Sequence, residues 1–307
     1  MLKPRALVPG ARLAIVAPAS PFTRDEFDRG IAEIRRLGFE PVYDESVFSR
    51  QRYVAGPPEV RAAALRSAWR DPSIAGLVAV RGGYGSAQVL PLLDAKEARD
   101  ARKAFVGYSD LTAILTFLTQ YCQTVAFHGP MLEGRLGRGP AGYDQQSFLK
   151  ALCSPEPLGE IGAPGLETIR PGEARGPLLG GTLTQLVASL GTPYSFSPPA
   201  GHVLFLDEVG ERPYRLDRMV TQLRLAGLLA RASAVVIGEL PNCDEPTGDP
   251  TARATMAELF AAFPGPVVIG LPSGHTVGAA LTLPFGVDCR VVGGPRPRVV
   301  IEEGAVE

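Results

Sequence analysis

The stretch GYSD, Gly107 to Asp110, follows a short apolar run, AFV, and leads into the apolar-periodic run LTAILTFL. A serine at such a strand-to-helix turn is held up from a sheet edge while the first N–H groups of the new helix point toward whatever the side chain attacks. An acyl-transfer nucleophile needs that arrangement, because backbone donors can meet the developing oxyanion. Serine is also a preferred N-cap, so the same residues suit an ordinary helix start. A second stretch, RGGYG, places Gly82, Gly83 and Gly85 after the strand-like GLVAV. Backbone there can approach a ligand closely and offer N–H donors, although the spacing matches neither a dinucleotide-binding fingerprint nor a P-loop.

A serine nucleophile requires a base, and the chain holds three histidines. His202 opens the strand-like HVLFLDE and reads as a surface or strand-start residue. His128, in AFHGPM, ends the strand after the Ser109 helix and could line the same crevice. His275, in SGHT, lies in a loop of small residues where an imidazole can project freely. An acid that orients the imidazole would complete the set. Asp207 and Glu208 finish the HVLFLDE run, and an acidic pair ending a buried strand needs a partner or solvent. A solvated strand end explains that pair equally well. Tyr214, Arg215, Asp217 and Arg218 just downstream read as an ion-paired helix start.

The elements that would position these residues fall into two halves. Up to residue 154, β-rich runs alternate with helical periodicity, and strands such as LVAV are apolar throughout, as in a parallel sheet covered on both faces. This half reads as a doubly wound α/β domain. Its first helix is expected to open on a capping box, Thr23 with Glu26, to bury Phe27, Ile31, Ile34 and Leu37, and to stop at Gly38. Residues 155–176 are rich in Pro, Gly and Glu and read as a linker. Residues 177–307 read as a second, α+β domain whose end, VDCRVVGG then RVVIEEG, resembles a closing β-pair. In an open parallel sheet ligands collect at the carboxyl ends of strands, so Ser109 and the glycine loop should share one crevice.

Composition narrows the function. With 307 residues, 45% apolar and 21% charged, the chain can bury more than one core, and a net charge of −1 removes the electrostatic case for nucleic acid or an anionic membrane. Four cysteines stand far apart without a C-x-x-C pair, which suits a reducing compartment and neither a zinc ribbon nor a redox dithiol. No run approaches a membrane span and no secretory h-region is evident, so a cytoplasmic location is expected.

Taken in order, RGGYG, GYSD, HGPM, LFLDEVGERPYRLDRM and SGHT resemble the LD-carboxypeptidase family of serine peptidases, which also contains the microcin-immunity hydrolases. The resemblance spans nearly the whole chain. It implies a flavodoxin-like N-terminal domain, a C-terminal domain containing a small β-barrel, and a catalytic triad split between them. It puts the nucleophile on Ser109, the base on His275, and the oxyanion donors on the N–H groups of Gly83 and Asp110. His128 becomes a wall of the site. The family's acid is usually glutamate; here the register gives Asp207, one methylene shorter, so either the backbone sits closer to His275 or a water bridges, and Glu208 stays open as the alternative. The resemblance further implies a homodimer that needs no metal or cofactor and cuts the bond between the L-centre of a diamino acid and a terminal D-alanine in a muropeptide. Cleavage of a peptide-nucleotide antibiotic is the alternative within the family, and a non-catalytic small-ligand-binding protein is the alternative outside it.

Overall fold

The computed structural model describes residues 1–161 and 163–307. Five strands form a parallel sheet in the first half: β1 (Arg12–Val16), β2 (Glu40–Val42), β3 (Ile74–Ala79), β4 (Ala104–Gly107) and β5 (Ala126–His128). They lie in the order β5-β4-β3-β1-β2, with helices between them. The reversal of strand order falls between β1 and β3, so the crevice such a sheet offers opens at the carboxyl ends of those strands, beside β4. The helix Arg24–Arg36 buries Phe27, Ile31 and Ile34, and Gly38 ends the segment at φ +89°. The expected capping box is not formed. Thr23 makes no side-chain cap bond, and the Glu26 carboxylate that would complete the box is engaged elsewhere, accepting from the Gly134 N–H at 3.0 Å and pairing with Arg29.

The second half builds an eight-stranded sheet from β6 (Gly159–Ile161), β7 (Glu167–Arg170), β8 (Gly172–Thr182), β9 (His202–Asp207), β10 (Ala232–Gly238), β11 (Val267–Leu271), β13 (Asp288–Gly293) and β14 (Arg298–Ile301), while β12 (Leu283–Phe285) joins the first sheet. The order is β6-β14-β13-β8-β9-β10-β11-β7, with β8 to β11 parallel and, beyond the first half of β8, their apolar residues buried. The sheet curls. Thr168 on the edge strand β7 donates its hydroxyl to Gly294 O at 2.8 Å and accepts from the Gly294 N–H at 2.9 Å, just beyond β13.

The stretch expected as a linker, 155–176, instead supplies β6, β7 and the start of β8; residue 162 within it lies outside the described residues. Its Pro and Gly content suggested breakers, but β6 and β7 are the two edges of the sheet, where those residues are tolerated. The halves also interlock. β12 pairs antiparallel with β5, Leu283 opposite His128, and the chain ends meet where the Ala6 N–H donates to Glu307 O at 2.9 Å. No helix among the described residues is long and apolar enough to cross a membrane.

His202, expected near the surface, is fully buried: its Nδ1 donates to Pro199 O at 2.9 Å, and its Nε2 has no hydrogen-bond partner among the described residues. Burial pushes its pKa down to about 4. The unfolded chain therefore takes up a proton near about pH 6.5 that the folded chain refuses until about pH 4, so stability is full above the first value and falls as pH drops between the two. The loss is on the order of 3 kcal/mol. His202→Asn, which keeps a donor for Pro199 O, should flatten the decline by one proton in urea unfolding followed from pH 7 to 4. An unchanged slope would contradict the assignment.

Candidate active site

All four residues of β4 are buried. The strand stops where the chain reverses through extended Tyr108, and Ser109 enters the left-handed region at φ +64°. A non-glycine residue there is strained, and such strain persists at functional turns because the surrounding structure imposes it. Ser109–Leu111 form a 3₁₀ turn that runs into the helix Thr112–Thr116, leaving the serine half-buried above the sheet edge.

The glycine loop after β3 packs directly on this turn. A Cβ at Gly82 would lie 2.9 Å from Ser109 Cβ and 3.3 Å from the Asp110 nitrogen, a spacing only glycine permits. Gly83 takes φ +90°, and a Cβ on it would strike Ser20 after β1. Ser20 Oγ donates to Tyr53 O and accepts from the Tyr84 N–H, both at 3.0 Å, so three segments meet beside the serine. Asp110 is buried and spends its side chain on the loop, accepting from the Ser86 N–H at 2.8 Å; burial pushes its pKa up despite the donors from Ser86. Buried Arg61 holds the loop from the other side, donating to Gly85 O and Pro18 O at 2.7 Å each. Among the described residues, the turn and loop hydrogen bonds leave the Gly83 and Asp110 N–H groups without an acceptor.

Across the cleft, Asp207 ends β9 and is fully buried. Its Oδ2 accepts from His275 Nδ1 at 2.7 Å, and its Oδ1 accepts from the His275 backbone N–H at 3.0 Å. The backbone approaches rather than a water bridging, and Gly274 makes the approach possible: at φ +72° a Cβ there would sit 2.6 Å from Asp207 Oδ2 and 2.6 Å from His128 Cε1. Burial pushes the Asp207 carboxyl up, but the His275 ring and N–H, helped by His128, outweigh it and hold the group below the usual carboxylate range. Since Nδ1–H is committed to the carboxylate, His275 keeps Nε2 as its available base. Glu208 faces elsewhere, as alternation along a strand requires. Its Oε2 accepts from the Thr184 N–H at 2.8 Å and hydroxyl at 2.7 Å, anchoring the helix Leu183–Ser189.

The other histidine of the cleft is a poor base. His128 is fully buried among Tyr108, Phe205 and Phe285, its Nδ1 is 3.2 Å from Ser273 Oγ, and burial takes its pKa down to about 4. The Asp207–His275 pair thus stands near the turn that carries Ser109, on which the glycine loop packs. The ring of Tyr108, next to the serine, meets the His275 ring edge-on at 5.1 Å between centroids. Ser109 Oγ has no hydrogen-bond partner among the described residues; such contacts commonly tighten only when substrate binds. Thr182 ties the two sides, its N–H donating to Thr112 Oγ1 at 3.0 Å and its hydroxyl 3.3 Å from Asp207 Oδ2. Among the described residues no three His, Cys, Asp or Glu side chains gather as a metal-binding group.

Sequence reasoning did not single out Ser20, Arg61, Thr182 or Arg135. Ser20, Arg61 and Arg135 act mainly through main-chain groups distant in sequence and Thr182 through the distant Thr112 and Asp207 side chains, and nothing local signals such partners. Gly274 was visible as the glycine of SGHT, although its closeness to Asp207 was not.

A strained serine on a strand-to-helix turn, backbone donors beside it without an acceptor among the described residues, and a carboxylate-bound imidazole nearby are the parts a hydrolytic site requires. Residues 13–129 match the LD-carboxypeptidase N-terminal domain and residues 175–291 the LD-carboxypeptidase C-terminal domain, and the chain belongs to this family of peptidases. A putative carboxypeptidase of Streptomyces coelicolor is 37% identical over 291 residues, covering 94% of this chain and 92% of that protein. The murein tetrapeptide carboxypeptidase of Pseudomonas aeruginosa is 32% identical over 275 residues, covering 86% and 88%. The microcin C7 self-immunity protein MccF of Escherichia coli is 26% identical over 300 residues, covering 88% and 86%. A solved structure of MccF shares the fold across 100% of both chains, with a TM-score of 0.92 at 22% identity.

Proposed function

We propose that this protein is a serine-type LD-carboxypeptidase that removes the terminal D-alanine from murein tetrapeptides by cutting its amide to the L-centre of a diamino acid, in the recycling of cell-wall peptides. The observation that carries the reading is the Asp207–His275 pair at 2.7 Å, facing the cleft in which the strained Ser109 turn stands. His275 Nε2 takes the Ser109 proton as Oγ attacks the carbonyl, and the Gly83 and Asp110 N–H groups receive the oxyanion. Collapse breaks the C–N bond, the leaving D-alanine amine takes the proton from Nε2, and a water deprotonated by the same nitrogen then hydrolyses the acyl-enzyme. The murein tetrapeptide carboxypeptidase likeness supports this substrate. The family resemblance also supports a cytoplasmic homodimer, which sedimentation at micromolar concentration would check.

The likeness to MccF supports a second reading, hydrolysis of a peptide-nucleotide antibiotic by the same residues. A two-substrate assay tests both. Release of D-alanine from tetrapeptide, with an aminoacyl sulfamoyl nucleotide left intact, is the expected result; cleavage of the nucleotide alone would transfer the assignment to the second reading. If neither is cleaved and the protein binds a small carboxylate without turnover, the enzymatic reading fails.

A further inference from the structure

Arg135 follows β5 in the front half of the molecule and is only 5% exposed. Its five hydrogen bonds among the described residues all go to neutral oxygens. Nη2 donates to Gly274 O and Thr276 O, each at 2.8 Å, and these are the residues on either side of His275. Nη1 donates to Gly278 O at 3.0 Å and Gly142 O at 3.3 Å, and Nε to the Tyr108 hydroxyl at 3.4 Å. The guanidinium carbon also stands 5.9 Å from the centre of the Tyr108 ring, next to Ser109. Hydration has been given up here without a directly bonded carboxylate, a costly way to fill space. A neutral side chain of similar volume would pack as well, but only a planar fork of five N–H donors can hold so many carbonyls at once.

We propose that Arg135 is a positioning residue: its guanidinium spans the cleft and fixes the loop bearing His275 against the strand end bearing Ser109. This rests on the reading of Ser109 and His275 as nucleophile and base. Arg61 does the corresponding work for the glycine loop, but within one half of the chain. Arg135 joins the two halves, at the point where base and nucleophile must keep register.

The test uses Arg135→Ala and Arg135→Lys in the full chain. For Arg135→Ala, kcat for D-alanine release should fall about 100-fold with KM changed by less than about threefold, because misplacement of a catalytic group by about 1 Å costs that much. Guanidinium chloride at non-denaturing concentration should restore much of the loss by entering the vacated space, and should leave the wild type unaffected. Arg135→Lys, with fewer donors in the wrong shape, should fall in between. A kcat within twofold of wild type in Arg135→Ala overturns the proposal. So does a loss that guanidinium leaves untouched in a variant with wild-type Tm and near-ultraviolet dichroism. Should Arg135→Ala not fold, Arg135→Lys decides: lowered kcat at unchanged KM supports positioning, and unchanged kcat overturns it. A fluorophosphonate probe on Ser109, followed by mass spectrometry, separates this proposal from the choice of substrate. Slow labelling of the variants beside fast labelling of a wild type that releases no D-alanine upholds the positioning and refutes the substrate; equal labelling rates refute the positioning.

Discussion

Ser109→Gly should release no D-alanine and yet be more stable than the wild type. The two effects have separate origins at one residue. Holding a non-glycine residue at φ +64° costs about 1–2 kcal/mol, and glycine removes that cost while adding a smaller entropic penalty from the freer unfolded chain. A net gain of about 0.5–1 kcal/mol should remain. No hydrogen bond is lost, because Ser109 Oγ has no partner among the described residues. Turnover should drop by about 10⁴-fold or more, the scale on which removal of a serine nucleophile is felt. Ser109→Ala separates the effects: it keeps the strain, so it should lose the same activity with no gain in stability. Urea unfolding and single-turnover assays on the three proteins check the pattern. Residual turnover within tenfold of wild type would remove Ser109 from the chemistry, and a less stable Ser109→Gly would show that the turn is not strained.

The parts of this architecture that are legible in the sequence are those governed by local punctuation. The halt of an apolar run at Gly107, the helix periodicity after Ser109 and the glycine cluster at 82–85 each declare a strand end, and strand ends converge in a parallel sheet. The choice between Asp207 and Glu208 is less local. Register along β9 decides which acid faces the cleft, but the direct contact depends on Gly274, nearly seventy residues away, letting the His275 loop descend onto the carboxylate. β6 and β7 within 155–176 were hidden because these short edge strands lack the buried alternation that betrays central ones, and the start of β8 because its first residues are largely exposed. The glutamate half of the expected box of Thr23 and Glu26 is lost to the Gly134 N–H, a partner that local sequence cannot announce. Arg135 is the extreme case. Its role lies in carbonyl groups, which every residue carries, so no spacing of side chains could reveal it.

Asp207→Asn should lower kcat by about 10⁴-fold with little change in KM, and the geometry says why more firmly than the general case does. Both carboxylate oxygens accept from the same residue, Oδ1 from the His275 backbone N–H and Oδ2 from Nδ1–H. An asparagine has one oxygen to offer. The backbone N–H can only donate, so the amide oxygen must turn toward it, and the NH₂ group is left facing Nδ1. The imidazole then accepts at Nδ1 and carries its proton on Nε2, where it can no longer take one from Ser109. The flip also has a thermodynamic signature. The wild-type carboxyl is held below its ordinary value, so its ionised form stabilises the fold above that value and the stabilisation is lost as pH falls through the folded one; Asp207→Asn should lack that part of the acid limb. Nitrogen-15 spectra of the ring report the tautomer directly. Nδ1–H in the wild type and Nε2–H in the variant are expected, and an unchanged tautomer together with near-normal turnover would leave Asp207 as a buried anchor with no part in the reaction.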